Sequence, residues 1–373
     1  MNILVVNWRC IKNPEMGGAE IHLHEIFRRI KKMGHSVTLV AHKFRGALDE
    51  EIIDGIKILR YGNKYLFDHQ FRRFYKSELI KHNCDLIVDD ISKIPLNTPA
   101  YVHKPVVGIL HHIHGNSLYK EIPFPIAFYI IKKEKQIPDY YKNTPIFTVS
   151  DSTKNELINL GHSEDKTGLL YNAINHNLFE KADISKSPTP LLTYVGRIKN
   201  YKNINKIIDA VSLLRKDIPN IKFIIGGQGD YSDKLKEQVD RLKLENNVEF
   251  TGFLTEEEKV ELLGKAWLFI TMAEKEGWGI TVIEANAKKT PAIGSDVPGL
   301  RDSIKNGETG YLVPLGDSKK LAEKIKVTIE TKKELDKLSN NAFEWSKKFS
   351  WDKSAVHFME KVQEWYPELK TKI

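Results

Sequence analysis

The chain has 373 residues, 41% hydrophobic and 28% charged, with a formal charge of +8 and a pI near 9.0. That composition excludes wholesale disorder, the length calls for two domains rather than one, and no run approaches the ~18 apolar residues of a membrane span. The positive charge suits an enzyme of anionic ligands, an anionic membrane surface or a nucleic acid equally well. Two cysteines, Cys10 and Cys84, exclude a disulfide framework and a four-thiolate metal site, and point to reduced thiols in a cytosolic compartment.

Met1-Asn2-Ile3-Leu4-Val5-Val6 lacks the basic region and long apolar core of a signal peptide and reads as a first buried strand. Gly17-Gly18-Ala19-Glu20 opens an amphipathic helix in which Ile21, Ile26, Phe27 and Ile30 keep helical spacing, and Gly34 stops it. Strands follow at 37–41, 55–60, 85–88, 105–110 and 146–149, and the segment 166–171 closes the first domain. The apolar segment 122–131 is short and interrupted by Pro123 and Pro125. Ser185-Lys186-Ser187-Pro188-Thr189-Pro190 continues neither period and is the predicted linker.

The second half repeats the pattern, with strands at 191–195, 223–225, 248–251 and 267–270 alternating with helices at 203–214 and 233–242. Thr255 and Glu258 have the spacing of a capping box opening the helix to 266. Helices at 318–332 and 332–349 follow, and Ser350-Trp351-Asp352 reads as an N-cap region for a last helix, 353–365. The predicted domains are 1–184 and 185–349, with 350–373 packing back on the first. Strands alternating with helices predict doubly wound α/β sheets, whose ligands sit at the carboxyl ends of strands.

Four loops after strands carry candidate chemistry. Gly196-Arg197-Ile198-Lys199-Asn200-Tyr201-Lys202 sets Arg197 and Lys202 behind a glycine, able to clamp two phosphates, or to form a solvated basic turn. Gly226-Gly227-Gln228-Gly229-Asp230 exposes backbone to a nucleobase or phosphate, or is a plain tight turn; position 232 is Ser232, so it is no dinucleotide fingerprint. In 272–299 an acidic loop with Glu276, Gly277 and Gly279 enters a short helix. The amides of Gly279, Ile280 and Thr281 there suit a diphosphate, and Glu284 suits two ribose hydroxyls, a solvent-facing glutamate being the alternative. Leu110-His111-His112-Ile113-His114-Gly115 suggests a metal at first sight, but it lacks a cysteine or a compelling acidic partner. A single active-site histidine or a surface cluster are the other readings.

Together these residues resemble the retaining glycosyltransferases of family 4. The resemblance is carried by Glu276-Gly277-Trp278-Gly279 through Glu284-Ala285, Thr290-Pro291, Ser295-Asp296-Val297-Pro298-Gly299, Asn306-Gly307-Glu308-Thr309-Gly310 and Gly316-Asp317. Gly196-Arg197 with Lys202, Gly17-Gly18-Ala19-Glu20, Gly34-His35, Ser150 through Thr153 and Asn172 extend it. It implies the GT-B fold, two Rossmann-like doubly wound domains facing each other across a cleft. It also implies that Arg197 and Lys202 bind the donor diphosphate, Glu284 the ribose, and that Glu276 faces the transferred sugar. His111, with His112 as the alternative register, is implied as the active-site histidine, and Gly17, Gly18, Gly196, Gly227 and Gly229 as donor-side glycines. The sequence departs from the family at Lys288-Lys289, in place of a small residue and a glycine, and at Asn286, in place of a methionine.

The expected activity is retaining, metal-independent transfer of a sugar from a nucleotide-diphosphate sugar to an acceptor hydroxyl, in cell-surface polysaccharide or glycolipid synthesis. Arg197, Lys202 and the helix amides take the charge that a divalent ion would otherwise neutralise, and the chain holds no Asp-x-Asp triplet. No metal, cofactor or nucleic acid is expected; the partners are the donor, a sugar or lipid-linked acceptor, and an anionic membrane surface on the cytoplasmic side. Rival readings are a nucleotide-sugar 2-epimerase on the same fold and a non-catalytic binding subunit. Two patches are candidate membrane contacts: Phe71-Arg72-Arg73-Phe74-Tyr75-Lys76, and Lys132, Lys133 and Lys135 beyond the 122–131 segment. A solvated helix face is the alternative for both.

Overall fold

Continuous apolar runs demand cover on both faces, and Ile3, Leu4, Val5 and Val6 are all buried in the central strand of an eight-stranded sheet. In this computed structural model, which describes residues 1–79, 83–120, 122–180 and 184–372, the strands of that first sheet are β1 (Asn2–Val6), β2 (Ser36–Ala41), β3 (Glu50–Ile53), β4 (Ile56–Arg60), β5 (Leu86–Ile91), β6 (Val106–Leu110), β7 (Ile146–Thr148) and β8 (Thr167–Leu169). Their order is β3-β4-β2-β1-β5-β6-β7-β8, parallel except for the β3–β4 hairpin. Strand β3 is not among the strands expected from the sequence. Its signal is the Asp54-Gly55 pair, where both residues have positive φ, +48° and +82°, as a primed hairpin turn requires.

Helix α1 (Gly18–Lys32) buries Leu23, Ile26, Phe27 and Ile30, one helical stripe, and stops where Gly34 takes φ +99°. Helix α2 (Phe67–Ser77) buries Phe67, Phe71 and Tyr75. This corrects the first expected membrane patch, because its principal aromatic side chains belong to the core. Helix α3 (Phe124–Lys135) carries its prolines at the start, where no intrahelical donor is lost. The Trp351–Trp365 helix packs on α1, with Phe27 against Phe358 at 5.4 Å and Arg29 to Asp352 at 2.7 Å. The first unit is accordingly Met1–Ala173 with Trp351–Ile373.

The second unit, Ile174–Ser350, holds β9 (Leu191–Val195), β10 (Lys222–Gly226), β11 (Val248–Gly252), β12 (Leu268–Thr271), β13 (Ala292–Ser295) and β14 (Gly310–Val313) in the order β11-β10-β9-β12-β13-β14. All these pairs are parallel. The order reverses between β9 and β12, the position at which doubly wound sheets bind ligands. Leu192, Phe223, Ile225, Leu268 and Ile270 form its core with Ile207, Ile208 and Val211 of the Ile204–Leu214 helix. The capping box holds: Thr255 N donates to Glu258 at 2.8 Å, and Glu258 N to Thr255 Oγ1 at 3.2 Å.

The expected linker is different in the structure. The units divide at Ala173 and Ile174, while the 185–190 segment is packed on the second unit. Ser187 N donates to Lys265 O at 2.9 Å, Trp267 Nε1 donates to Ser187 O at 2.8 Å, and Lys186 Nζ donates to Ala266 O at 2.7 Å. Prolines exclude regular structure without excluding a packed strap. The predicted boundary adjoins residues 181–183, which lie outside the described residues.

Candidate active site

In the second unit, the loops after β9 and β12 are stapled together. Glu274 N donates to Tyr201 O at 2.9 Å, and Asn203 Nδ2 donates to Met272 O at 3.1 Å. This staple brings Lys202 onto Glu276, with which it forms an ion pair; the two side chains are only 13% and 22% exposed. Burial pushes the Lys202 ammonium down, but the Glu276 charge outweighs it and holds the pKa above the ordinary lysine value. Arg197 follows Gly196 on the same loop, is exposed, and has no side-chain hydrogen bond or ion pair among the described residues. The expected clamp therefore consists of one unpaired guanidinium and one ammonium already facing a carboxylate.

Gly279 has φ +88° and precedes the Ile280–Ala287 helix, so the amides of Ile280 and Thr281 fall in the first turn, which lacks intrahelical acceptors. Gly277 lies in the loop just ahead, beside Trp278, which is buried edge-on against Phe349 at 4.6 Å. One turn into the helix, Glu284 is buried, and its Oε1 accepts from Lys259 Nζ at 2.7 Å. Lys259 also reaches Glu256 at 2.9 Å. Burial lowers the Lys259 pKa, and the two carboxylates, Glu284 first, more than restore it. Glu284 Oε2 has no hydrogen bond among the described residues, which leaves lone pairs for further donors.

The glycines of the β10 loop have a packing role that the sequence did not show. A Cβ on Gly227 would lie 1.9 Å from Gly196 O, and one on Gly229 would lie 1.9 Å from Ile198 O. Gly227 N already donates to Gly252 O, and Ile198 N to Gln228 O. These glycines let the β9 and β10 loops zip together, backbone on backbone. They place Arg197, and they leave the Gly229 amide without an acceptor among the described backbone hydrogen bonds.

In the first unit, the carboxyl ends of β1, β5 and β6 converge. His111 Nε2 lies 2.9 Å from Asp90 Oδ1, the two side chains being 12% and 3% exposed. Burial alone would lower the imidazole pKa, but Asp90, and behind it Glu20, raise it above the ordinary value. His22 of α1 packs edge-on against His111 at 5.0 Å, and its Nε2 faces Leu170 O at 3.0 Å, so that nitrogen carries the proton. Burial, then the neighbouring His111, push the His22 pKa well down, which keeps it neutral. Gly17 caps α1, and its amide donates to Glu20 Oε2 at 2.6 Å; Gly18 begins the helix. The other histidines turn elsewhere: His112 and His114 meet at 2.9 Å, and His114 Nδ1 reaches Glu134 at 2.9 Å. Glu134 is the acidic partner that the local sequence did not reveal. Among the described residues no group of three His, Cys, Asp or Glu is placed to hold a metal ion.

Asp90 and Lys259 were both missed from sequence. The signal for Asp90 is strand register: β5 pairs with β6 so that Asp90 faces Ile109, two residues before His111. Asp90→Asn is expected to lower the His111 pKa. Because that pKa is raised on folding, its contribution to stability is complete below about pH 6.5 and fades as pH rises through the folded value. Denaturant unfolding between pH 5.5 and 8.5 should show this decline in the wild type and a flatter profile in the variant; parallel profiles would refute the pairing.

A Rossmann-like unit with charged loops at its switch point, together with another doubly wound α/β unit, defines a two-domain α/β architecture common among enzymes. A family model described as glycosyl transferases group 1 matches residues 177–345, and one described as Glycosyltransferase Family 4 matches 16–178. The chain belongs to glycosyltransferase family 4. It is 28% identical over 211 residues to the capsular polysaccharide biosynthesis glycosyltransferase CapM of Staphylococcus aureus, a match taking in 53% of this chain and 55% of CapM. The chain spans about half or less of the length of the first curated relatives it matches. Two solved structures share the whole fold. Sucrose-phosphate synthase from Thermosynechococcus elongatus superposes with a TM-score of 0.83 at 19% identity, over 98% of this chain and 99% of that one. HepE of Anabaena, in complex with UDP-glucose, does so with a TM-score of 0.77 at 20% identity, over 98% and 100%. Sucrose-phosphate synthase is a GT-B glycosyltransferase, and the present chain has the GT-B fold.

Proposed function

We propose that this protein is a retaining, metal-independent glycosyltransferase that moves a sugar from a nucleotide-diphosphate sugar to an acceptor hydroxyl. The observation that carries the reading is the switch-point loop pair of the second unit, with Arg197 unpaired on the loop that carries Lys202, Lys202 paired with Glu276, and Glu284 one turn into the helix that follows. As the bond from the anomeric carbon to the β-phosphate oxygen breaks, its electron pair passes to the phosphate. Arg197, Lys202 and the amides of Ile280 and Thr281 stabilise that charge, which is where preorganised donors contribute most. Glu284 accepts from the ribose hydroxyls and Glu276 from the sugar. The acceptor hydroxyl attacks from the face the phosphate leaves, and the departing phosphate oxygen takes its proton. His111, held against Asp90, donates to a hydroxyl of the sugar.

UDP-glucose, found in HepE, is the first donor to test, and the resemblance to CapM favours an acceptor in cell-surface polysaccharide synthesis. Nucleoside diphosphate release is expected when donor and acceptor are both present. Donor consumed without acceptor, with the sugar altered, would assign a 2-epimerase instead. Calorimetry showing no nucleotide binding would reduce the chain to a partner subunit.

A further inference from the structure

Exposed apolar side chains are ordinary when scattered and informative when contiguous. On the first unit, Phe124, Ile126, Phe128 and Tyr129 of α3 are 67%, 54%, 55% and 46% exposed, and Tyr119 beside them is 39% exposed. They form a ladder: Tyr119 stacks on Phe124 at 5.3 Å, and Phe124 on Phe128 at 6.2 Å. The opposite face of the same helix is core, with Ala127, Ile130 and Ile131 packed against Leu118. So α3 is apolar on both sides through its first two turns.

Its last turn is basic. Lys132 and Lys135 are exposed, and Lys133 donates to Tyr140 at 2.9 Å while lying over the Tyr129 ring. The only acid of the helix, Glu134, is buried and accepts from the amides of His114 and Gly115 at 2.9 Å each. No described carboxylate of α3 therefore faces solvent beside the aromatics.

We infer that this face of α3 docks on an anionic lipid surface, with Phe124, Ile126 and Phe128 entering the interface and the lysines of the last turn meeting lipid phosphates. Aromatic rings suit the headgroup level, and each lysine near an anionic surface adds binding free energy that salt screens. Docking is interfacial, since no helix among the described residues is long and apolar enough to cross a membrane. Charge argues against a second copy of the chain as occupant, because a symmetric contact would bring two lysine collars together. Sugar transfer is not assumed, so docking and the donor reading can fail separately.

Vesicle flotation of the full chain tests it. The wild type should float with vesicles containing phosphatidylglycerol, much less with pure phosphatidylcholine, and less again at high salt. Phe124→Ser with Phe128→Ser should abolish flotation, and Lys132→Glu with Lys135→Glu should weaken it by about tenfold or more. All four side chains are exposed, so melting temperatures should match the wild type, and the lysine pair keeps the test alive if the aromatic pair misfolds. A wild type that stays at the bottom, or variants that float as well as it does, would overturn the inference. So would a concentration-dependent dimer in sedimentation that the aromatic substitutions dissolve.

Discussion

Lys202→Met is expected to lower kcat/KM by about 100- to 1000-fold and to destabilise the second unit. The first effect follows from removing a preorganised cation from the departing diphosphate, a change worth that much where comparable donors are deleted. The second follows from the ion pair: removing one partner of a buried pair leaves an uncompensated charge and costs about 3–5 kcal/mol, less where water reaches it. Glu276, at 22% exposure, belongs toward the lower end. The double variant Lys202→Met with Glu276→Gln separates the effects. Stability should return, since the stranded charge is gone, while activity stays low. Recovery of turnover in the double variant, measured beside urea midpoints, would show that Lys202 serves only the fold.

Glu284→Gln should raise the donor KM by about 10- to 100-fold with kcat far less changed. Hydrogen bonds to a charged acceptor contribute about 1.5–3 kcal/mol each, and 1.4 kcal/mol is a factor of ten. Lys259→Met acts on the same carboxylate indirectly. Without the ammonium at 2.7 Å, Glu284 is a buried charge that has lost the partner fixing its orientation. Lys259 is thus a positioning residue, and its loss should raise KM by about tenfold. The discriminating measurement uses UDP against 2′-deoxy-UDP. If Glu284 holds the ribose diol, both substitutions should lose most of their effect on the deoxy nucleotide, and an equal penalty on both ligands would remove the ribose assignment.

The loops of the proposed donor site were legible because they directly follow strands. Glycine, a charge and a helix start are all local there, so Gly196-Arg197 and the loop from Glu276 to Gly279 could be read from one stretch of chain. What the sequence left hidden is what parallel sheets bring together from a distance. Lys259 and Glu284 sit on separate helices 25 residues apart, and Asp90 meets His111 only through the register of β5 on β6. No local period encodes either meeting. Composition also misled twice. The aromatic and basic run 71–76 read as a surface patch, but Phe71 and Tyr75 lie one helical turn apart and share the buried stripe. The proline-rich 185–190 segment read as a linker, although its Ser187 and Lys186 are bonded to the second unit. The departure at Lys288-Lys289 has a visible consequence: Lys289 takes φ +54°, a conformation that suits the glycine the family carries there.

The most direct measurement is sugar transfer by the purified chain in excess EDTA, following nucleoside diphosphate release and reading the anomeric configuration of the product by NMR. Undiminished release with the anomeric configuration retained is the predicted result, because in the proposed mechanism Arg197, Lys202 and the helix amides hold the leaving charge. Transfer that vanishes in EDTA and returns with magnesium or manganese, or a product of inverted configuration, would contradict it.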